Sequence, residues 1–459
     1  MTAALGVLAT NAGAAVFHSA DGLRVVSERR LDSRLVELSV ATKALDGKPA
    51  GNPAVHGPAK IRILLPGGYA QHPKRRYPVL YLLHGTSGGA ADWTTQGGAE
   101  QTTAGLPLIV VMPDIALSDT GGGWCTNWYN GGAHGPPEWE TFHIDQLIPW
   151  IDRNLRTIAS RDGRAIAGLS QGGFCSTSYA ARHPDIFVAT LSYSGAPDIA
   201  YDKLAWGPSS AIIGFTETSF DHVPANSMFG PRSTEEVNYA DHDPATLANN
   251  LRGIRIMLYT GNGLPGPFDK GLANAGASSI ETLVHEDTVA FHDRLDKLGI
   301  PSYFDDYGPG THSFPYWARD LKQSIGRVMA VFAHPPIAPK QVTYTVADSS
   351  YSVFGWSVSM HRRVTEFSTL ERATSNGFAL AGSGSATVLT PPSYNPRARY
   401  VVTIRGHRLA RTATVQALTD GRLQIDVPLG PSNRHQQYTA QALASGTKVF
   451  TTAVTIQPA

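Results

Sequence analysis

The strongest constraint on this fold is a series of short, almost unbroken apolar runs through the middle of the chain. They are Val79-Leu80-Tyr81-Leu82-Leu83, Leu108-Ile109-Val110-Val111-Met112, Ala165-Ile166-Ala167, Ala189-Thr190-Leu191-Ser192-Tyr193 and Ile254-Arg255-Ile256-Met257-Leu258-Tyr259. A strand with one wet face alternates apolar and polar residues, whereas a run like these must be covered on both faces, as in a parallel sheet. Helical spacing intervenes, in Phe142, Leu147, Ile148, Ile151 and Leu155 and again in Val284, Val289, Phe291, Leu295 and Leu298. Strands alternating with helices predict a mostly parallel sheet flanked by helices. Upstream, Arg34-Leu35-Val36-Glu37-Leu38-Ser39-Val40 and Ala59-Lys60-Ile61-Arg62-Ile63-Leu64 do alternate, so antiparallel strands are expected at a sheet edge.

Two departures from this rhythm divide the chain. Residues 196–250 are rich in Gly, Pro, Ser and Asp with scattered aromatics, and they read as a cap or lid insertion. The segment His334-Pro335-Pro336-Ile337-Ala338-Pro339 reads as a stiff linker. Beyond it come Val342-Thr343-Tyr344-Thr345-Val346, Tyr400-Val401-Val402-Thr403-Ile404, Leu423-Gln424-Ile425-Asp426-Val427 and Val449-Phe450-Thr451-Thr452, with no long helical pattern. The expectation is an N-terminal segment over 1–22, an α/β domain over 23–336 and an immunoglobulin-like β-sandwich over 340–459. A length of 459 residues suits two domains.

Composition excludes several function classes. The net charge is +1 and no basic stripe occurs, which argues against nucleic acid as a partner. The basic cluster His72-Pro73-Lys74-Arg75-Arg76 reads as a solvated loop. No run of about eighteen apolar residues suggests a membrane span. The two cysteines, Cys125 and Cys175, show no metal-binding spacing, and neither a metal nor another cofactor is predicted. They fit one disulfide or two unpaired thiols, and Cys175, close behind a candidate nucleophile, reads first as a packed thiol. Residues 1–15 are small, apolar and uncharged, and Ala12-Gly13-Ala14 suits signal-peptide cleavage although a basic start is missing. They read as the remnant of a signal, so the protein is expected to be secreted or associated with the cell envelope.

The sharpest chemical motif is Gly168-Leu169-Ser170-Gln171-Gly172-Gly173, after an apolar strand and before a helix. A serine between glycines at such a junction sits on a tight turn that lifts its hydroxyl above the sheet, and Ser170 is the candidate nucleophile. Its base is expected to be His312, in Gly308-Pro309-Gly310-Thr311-His312 after the last expected strand, 302–307. His285 and His292 fall mid-helix and read as surface residues. The acid that orients the histidine belongs after strand 254–259, where spacing leaves Glu281, Glu286, Asp287 and Asp269 open, whereas Asp305 and Asp306 read as structural. The turn His84-Gly85-Thr86-Ser87-Gly88-Gly89 follows the first apolar strand and is not a phosphate loop. Its Thr86 N–H and that of Gln171 are the candidate oxyanion donors.

These residues resemble the antigen 85 / esterase D group of α/β-hydrolases, which includes mycobacterial mycolyltransferases. The resemblance covers about 77–332 and rests on Tyr81-Leu82-Leu83-His84-Gly85, Trp139-Glu140-Thr141-Phe142 with Leu147-Ile148-Pro149-Trp150, Gly168-Leu169-Ser170, Tyr259-Thr260-Gly261-Asn262-Gly263 and Gly310-Thr311-His312-Ser313. It implies an α/β-hydrolase fold and, from the family's glutamate at the start of the helix before the histidine strand, the choice of Glu281 as acid, with Asp269 second and Asp287 third. The family's oxyanion donors fall on Thr86 and Gln171. Mycolyltransferases carry an aspartate and an arginine where this chain has His84 and Ser87-Gly88, so transfer to trehalose is not expected.

The resulting expectation is a serine carboxylic ester hydrolase acting on a small-molecule, lipid or polymer ester. The alternatives are an acyltransferase to a sugar or lipid hydroxyl, and a non-catalytic wall- or host-binding protein. The β domain is expected either to dock on a polymer or envelope surface, with Tyr344, Tyr351, Trp356 and Tyr394 as candidate aromatics, or to brace the catalytic domain. Trp356, in an alternating segment, reads as core.

Overall fold

The computed structural model describes residues 16–46, 57–117, 121–204, 206–270 and 274–459. The apolar stretch 1–15, and the signal-remnant reading with it, lies outside the described residues.

One mixed sheet organises the first part of the chain. Its strands are β1 (Arg24–Arg30), β2 (Leu35–Ala41), β3 (Ala59–Leu64), β4 (Val79–Leu83), β5 (Ile109–Pro113), β6 (Arg164–Leu169), β7 (Ala189–Tyr193), β8 (Arg255–Thr260) and β9 (Ser302–Asp306), in the order β1-β2-β3-β5-β4-β6-β7-β8-β9. From β5 to β9 the neighbours are parallel, while β1, β2 and β3 join antiparallel along the β5 edge. The apolar runs have their expected cause. On β4, Val79, Tyr81 and Leu83 enter one core and Leu80 and Leu82 the opposite one; on β5, Ile109 and Val111 oppose Val110 and Met112. Each aliphatic side chain buried in this way contributes about 1.5–3 kcal/mol. Both faces of these strands therefore demand apolar residues.

Helices Gln171–Arg182, Ala275–Lys297 and Phe314–Ala333 connect or follow the parallel strands. The helix expected over 142–155 forms in two parts: Thr141–Leu147 is wound as a wide π-helix and Ile148–Asn154 as an α-helix. Pro149, which has no N–H for the ladder, lies at their junction. The 196–250 region is largely helical, with Trp206–Phe215, Thr216–Phe220, Arg232–His242 and Ala248–Leu251 between β7 and β8. The basic stretch 72–76 is exposed, as read from its composition.

After helix Phe314–Ala333 and the extended segment 335–339 comes a separate antiparallel β region. Its strands are β10 (Val342–Val346), β11 (Ser350–Val353), β12 (Trp356–His361), β13 (Ser368–Thr374), β14 (Gly377–Gly382), β15 (Gly384–Leu389), β16 (Arg399–Gly406), β17 (Leu409–Gln416), β18 (Gln424–Gly430) and β19 (Phe450–Pro458). They form a six-stranded sheet, β10-β13-β14-β19-β16-β17, and a four-stranded one, β11-β12-β15-β18. Inward residues of both sheets, such as Leu370, Leu380 and Val402 from one and Val358, Val388 and Val427 from the other, build one core. Tyr344, Tyr351, Trp356 and Tyr394 all belong to this core and are at most 8% exposed. Tyr344 and Tyr351 do not serve as docking aromatics, because the pleat turns them inward, and nor does Tyr394, which the β15–β16 connection buries with its hydroxyl donating to the Ser375 carbonyl; Trp356 is core as its alternation indicated.

The β region does not hang free. Tyr344 donates its hydroxyl to the Arg182 carbonyl, Phe354 N–H donates to Asp185, and Asn250 exchanges two hydrogen bonds with the Thr345 backbone. The first two contacts lie at the C-terminal end of helix Gln171–Arg182, whose other end carries Ser170, and the third lies on the turn Ala248–Leu251.

Candidate active site

Ser170 lies between the end of β6 and helix Gln171–Arg182, with φ 51° and ψ −125°. This is a conformation that L-residues rarely hold unless their surroundings enforce it. The flanking glycines show what enforces it. A Cβ on Gly168 would come within 2.2 Å of the Gly172 carbonyl oxygen, and one on Gly172 within 2.2 Å of the His84 carbonyl oxygen. The turn is thus compressed between its own helix and the loop after β4. Ser170 N–H is held by the Tyr193 carbonyl on β7 at 2.9 Å.

His312 meets the serine from the loop after β9. Its Nε2 lies 2.8 Å from Ser170 Oγ and its Nδ1 2.7 Å from Glu281 Oε2. A carboxylate only accepts, so Nδ1 carries the ring proton and Nε2 is free to accept the serine's. The His312 backbone N–H donates to the Ala277 carbonyl, and the Trp317 ring stands edge-on to the imidazole at 4.9 Å. Glu281 sits in helix Ala275–Lys297 and is fully buried. Its second oxygen, Oε1, accepts from Gly261 N–H (2.8 Å), Ser194 Oγ (2.8 Å) and Thr260 Oγ1 (3.2 Å). That cradle leaves Oε2 directed at the histidine.

The other expected acids go elsewhere. Asp269 accepts from Thr311 and Tyr316 rather than from the imidazole. Asp287 is driven up to about 8 by burial and by Asp198 and Asp243 nearby, and Glu286 is exposed. Asp305 pairs with Arg319 and Asp306 with His285. His285 and His292 are part-buried rather than superficial: His292 Nδ1 lies 2.9 Å from Ser302 Oγ. Beneath the site Asp320 is wholly buried, and burial, with Glu281 adding to it against the pull of Arg319, raises it to about 8.

The expected oxyanion donors, Thr86 and Gln171, are placed by packing. Gln171 opens its helix, so its N–H belongs to the first turn and has no intrahelical acceptor. Gly85 rests on the Ser170 turn so closely that a Cβ there would sit 3.1 Å from the Ser170 Cβ; Thr86 follows it. His84 proves structural. Its Nε2 accepts from Ile115 N–H and its Nδ1 donates to the Gly85 carbonyl, tying the loops after β4 and β5 together. The cysteines are joined as a disulfide between the 121–128 loop and helix Gln171–Arg182, which corrects the packed-thiol reading of Cys175. Ser194 and Thr260 were not found from sequence; Thr260 ends β8 and Ser194, with a φ of 48°, directly follows β7, and that placement at the ends of parallel strands is the signal that marks them.

Residues 53–328 match the esterase family described as "Putative esterase". The chain belongs to this esterase family. It is 35% identical over 299 residues to Esterase Rv1288 of Mycobacterium tuberculosis, an alignment covering 64% of this chain and 59% of that protein. The chain thus spans about three fifths of that relative's length. It is 29% identical over 275 residues to the diacylglycerol acyltransferase/mycolyltransferase Ag85A of the same organism, covering 57% of this chain and 77% of that one. Among solved structures, MPT51 of Mycobacterium tuberculosis superposes with a TM-score of 0.50 at 24% identity, covering 61% of this chain and 96% of that one. This likeness establishes the α/β-hydrolase type of fold for the first part of the chain. The antigen 85-like resemblance stands.

Proposed function

We propose that this member of the esterase family is a serine carboxylic ester hydrolase whose triad is Ser170, His312 and Glu281. One observation carries the reading: a single imidazole lies within hydrogen-bond reach of a serine hydroxyl on one side and a buried carboxylate on the other. Ser170 Oγ attacks the ester carbonyl while His312 Nε2 takes its proton, and Glu281 holds the ring and stabilises the imidazolium. The carbonyl oxygen becomes an oxyanion beside the Thr86 and Gln171 N–H groups; one such donor is worth about 3–4 kcal/mol in the transition state. Collapse breaks the bond to the alcohol, which leaves with the histidine's proton, and the acyl-enzyme remains. Water, activated by the same histidine, then releases the acid and restores Ser170.

A second reading replaces that water by a sugar or lipid hydroxyl, and it is favoured by the kinship to an acyltransferase. Domains over 23–336 and 340–459, the second an immunoglobulin-like sandwich, complete the proposal. Export to an oxidising compartment is supported by the Cys125–Cys175 bridge. Among the described residues no helix is long and apolar enough to cross a membrane.

The test is release of p-nitrophenol from short-chain esters, with and without an acceptor alcohol. Ser170→Ala should abolish turnover with the fold intact, and turnover within about tenfold of wild type sinks the triad. Faster release with formation of the new ester identifies an acyltransferase; acid as sole product identifies a hydrolase.

A further inference from the structure

Asp269 lies between β8 and helix Ala275–Lys297, and its side-chain partners are Thr311 and Tyr316 rather than the imidazole. Its carboxylate instead straddles the histidine along the chain. Oδ1 accepts from Thr311 Oγ1 at 2.5 Å, one residue before His312, and Oδ2 from the Tyr316 hydroxyl at 2.6 Å, four residues after it. Oδ2 also takes Gly266 N–H at 2.7 Å, which closes the turn that presents the carboxylate. Thr311 and Tyr316 are both at most 2% exposed, so neither hydroxyl has bulk water as an easy alternative.

We propose that Asp269 is a positioning residue, a clamp that holds His312 in line with Ser170 by gripping the chain on both sides of the histidine. The loop it belongs to is laced to the same segment by backbone: Asn262 N–H donates to the Gly308 carbonyl and Gly263 N–H to that of Gly310. Gly266 lies so close that a Cβ would reach 2.2 Å from the Pro309 carbonyl oxygen. Thr311 and Tyr316 are the only side chains through which Asp269 reaches the histidine's flanks among the described hydrogen bonds. The loop also displays Leu264 and Phe268, 60% and 45% exposed, and the Phe268 ring packs edge-on against Tyr316 at 5.2 Å. The clamp therefore joins an apolar, outward loop to the catalytic base. Burial raises the Asp269 carboxyl, but the hydrogen bonds from Thr311, Tyr316 and Gly266 outweigh it and hold the group below the usual carboxylate range, so it is charged at neutral pH.

This inference rests on the Ser170–His312 reading, and the experiment separates the two. Asp269→Asn, Thr311→Val, Thr311→Ser and the double variant Asp269→Asn/Thr311→Val are assayed with p-nitrophenyl butyrate and by the rate of fluorophosphonate labelling of Ser170. An asparagine accepts with one oxygen only, so Asp269→Asn should lower kcat about ten- to a hundredfold with KM nearly unchanged. Thr311→Val should do the same, Thr311→Ser should retain the wild-type rate, and the double variant should be no worse than the poorer single. Active-site titration with the same probe distinguishes a smaller folded fraction, which lowers the labelled amount, from a misplaced base, which lowers the rate constant. The clamp is overturned if Asp269→Asn keeps kcat within about twofold of wild type. It is also overturned if Thr311→Ser is as impaired as Thr311→Val, or if only the labelled amount falls. An inert Ser170→Ala beside a fully active Asp269→Asn sinks the clamp alone; an active Ser170→Ala sinks the triad reading beneath it.

Discussion

Glu281 shows how much of the proposed triad is decided one residue away from its serine and histidine. Its Oε2 faces His312 because Oε1 is occupied by the Gly261 amide and the Ser194 and Thr260 hydroxyls. Glu281→Gln supplies an amide that donates where the imidazole N–H must be accepted, or forces the ring to reverse its tautomer. Turnover should fall about 10³–10⁴-fold without loss of fold, measured as kcat on a p-nitrophenyl ester. Ser194→Ala removes one of the three donors to Oε1 of this buried carboxylate and should cost roughly 1–3 kcal/mol of local order, seen as a smaller loss of kcat. Equal kcat in the wild type and Glu281→Gln removes Glu281 from the proposed triad.

Helices carry the next level of control. Asp287, on helix Ala275–Lys297, lies among Asp198, Asp243, Asp202 and Glu286, and both it and Asp243 are raised to about 8, chiefly by burial. Asp198 is raised to about 6 by burial. A carboxyl whose folded-state value is raised binds more protons folded than unfolded, so it destabilises the fold increasingly as pH rises from about 4 to about 8. Asp287→Asn lacks this term. Its urea midpoint should rise relative to wild type across that interval and stay level above it; a constant difference between pH 4 and 8 contradicts the assignment. The disulfide acts at the same scale, tying the 121–128 loop to helix Gln171–Arg182 across a sequence separation of 50. Closing a loop of that length is worth about 4 kcal/mol in the chain-entropy account, so reduction should lower the urea midpoint markedly. An unchanged midpoint after confirmed reduction rejects that contribution.

Across the whole molecule, the buried guanidinium of Arg182 joins the two β systems. It pairs with Glu140 at 2.7 Å and Asp241 at 2.6 Å, and with Asp348 from the β region at 2.8 Å. Ala347 N–H donates to the same Asp241, and Gln436 reaches Glu235 on helix Arg232–His242. This interlock supports bracing over docking as the role of residues 340–459. Truncation at 336 should lower the melting temperature and reduce turnover of soluble esters, since the end of the nucleophile helix loses its cover. A fragment with wild-type stability and soluble-ester activity would return the docking role to favour. Arg182→Ala in the full chain leaves Glu140 and Asp241 buried without their cation, at a cost of about 3–5 kcal/mol by thermal or urea unfolding.

What the sequence by itself determined is local or periodic. The apolar runs fix β4 and β5 to within a residue because strands covered on both faces favour unbroken apolar sequence, and β7 keeps its bounds with Thr190 and Ser192 buried among apolar neighbours. Gly168-Leu169-Ser170-Gln171-Gly172 announces a compressed turn because no other residue fits beside the Gly172 and His84 carbonyls. Tertiary structure alone decided which partners meet. Four carboxylates stood open on spacing, and the resemblance favoured Glu281; folding brings Glu281, whose helix lies behind β8, to the imidazole and leaves Asp269 on the chain to either side of it. It likewise closed Cys125 on Cys175 and turned Tyr344, Tyr351 and Tyr394 inward. Composition reports that a side chain is aromatic, acidic or thiol-bearing, but which face it takes depends on residues distant in sequence that only the folded chain brings near.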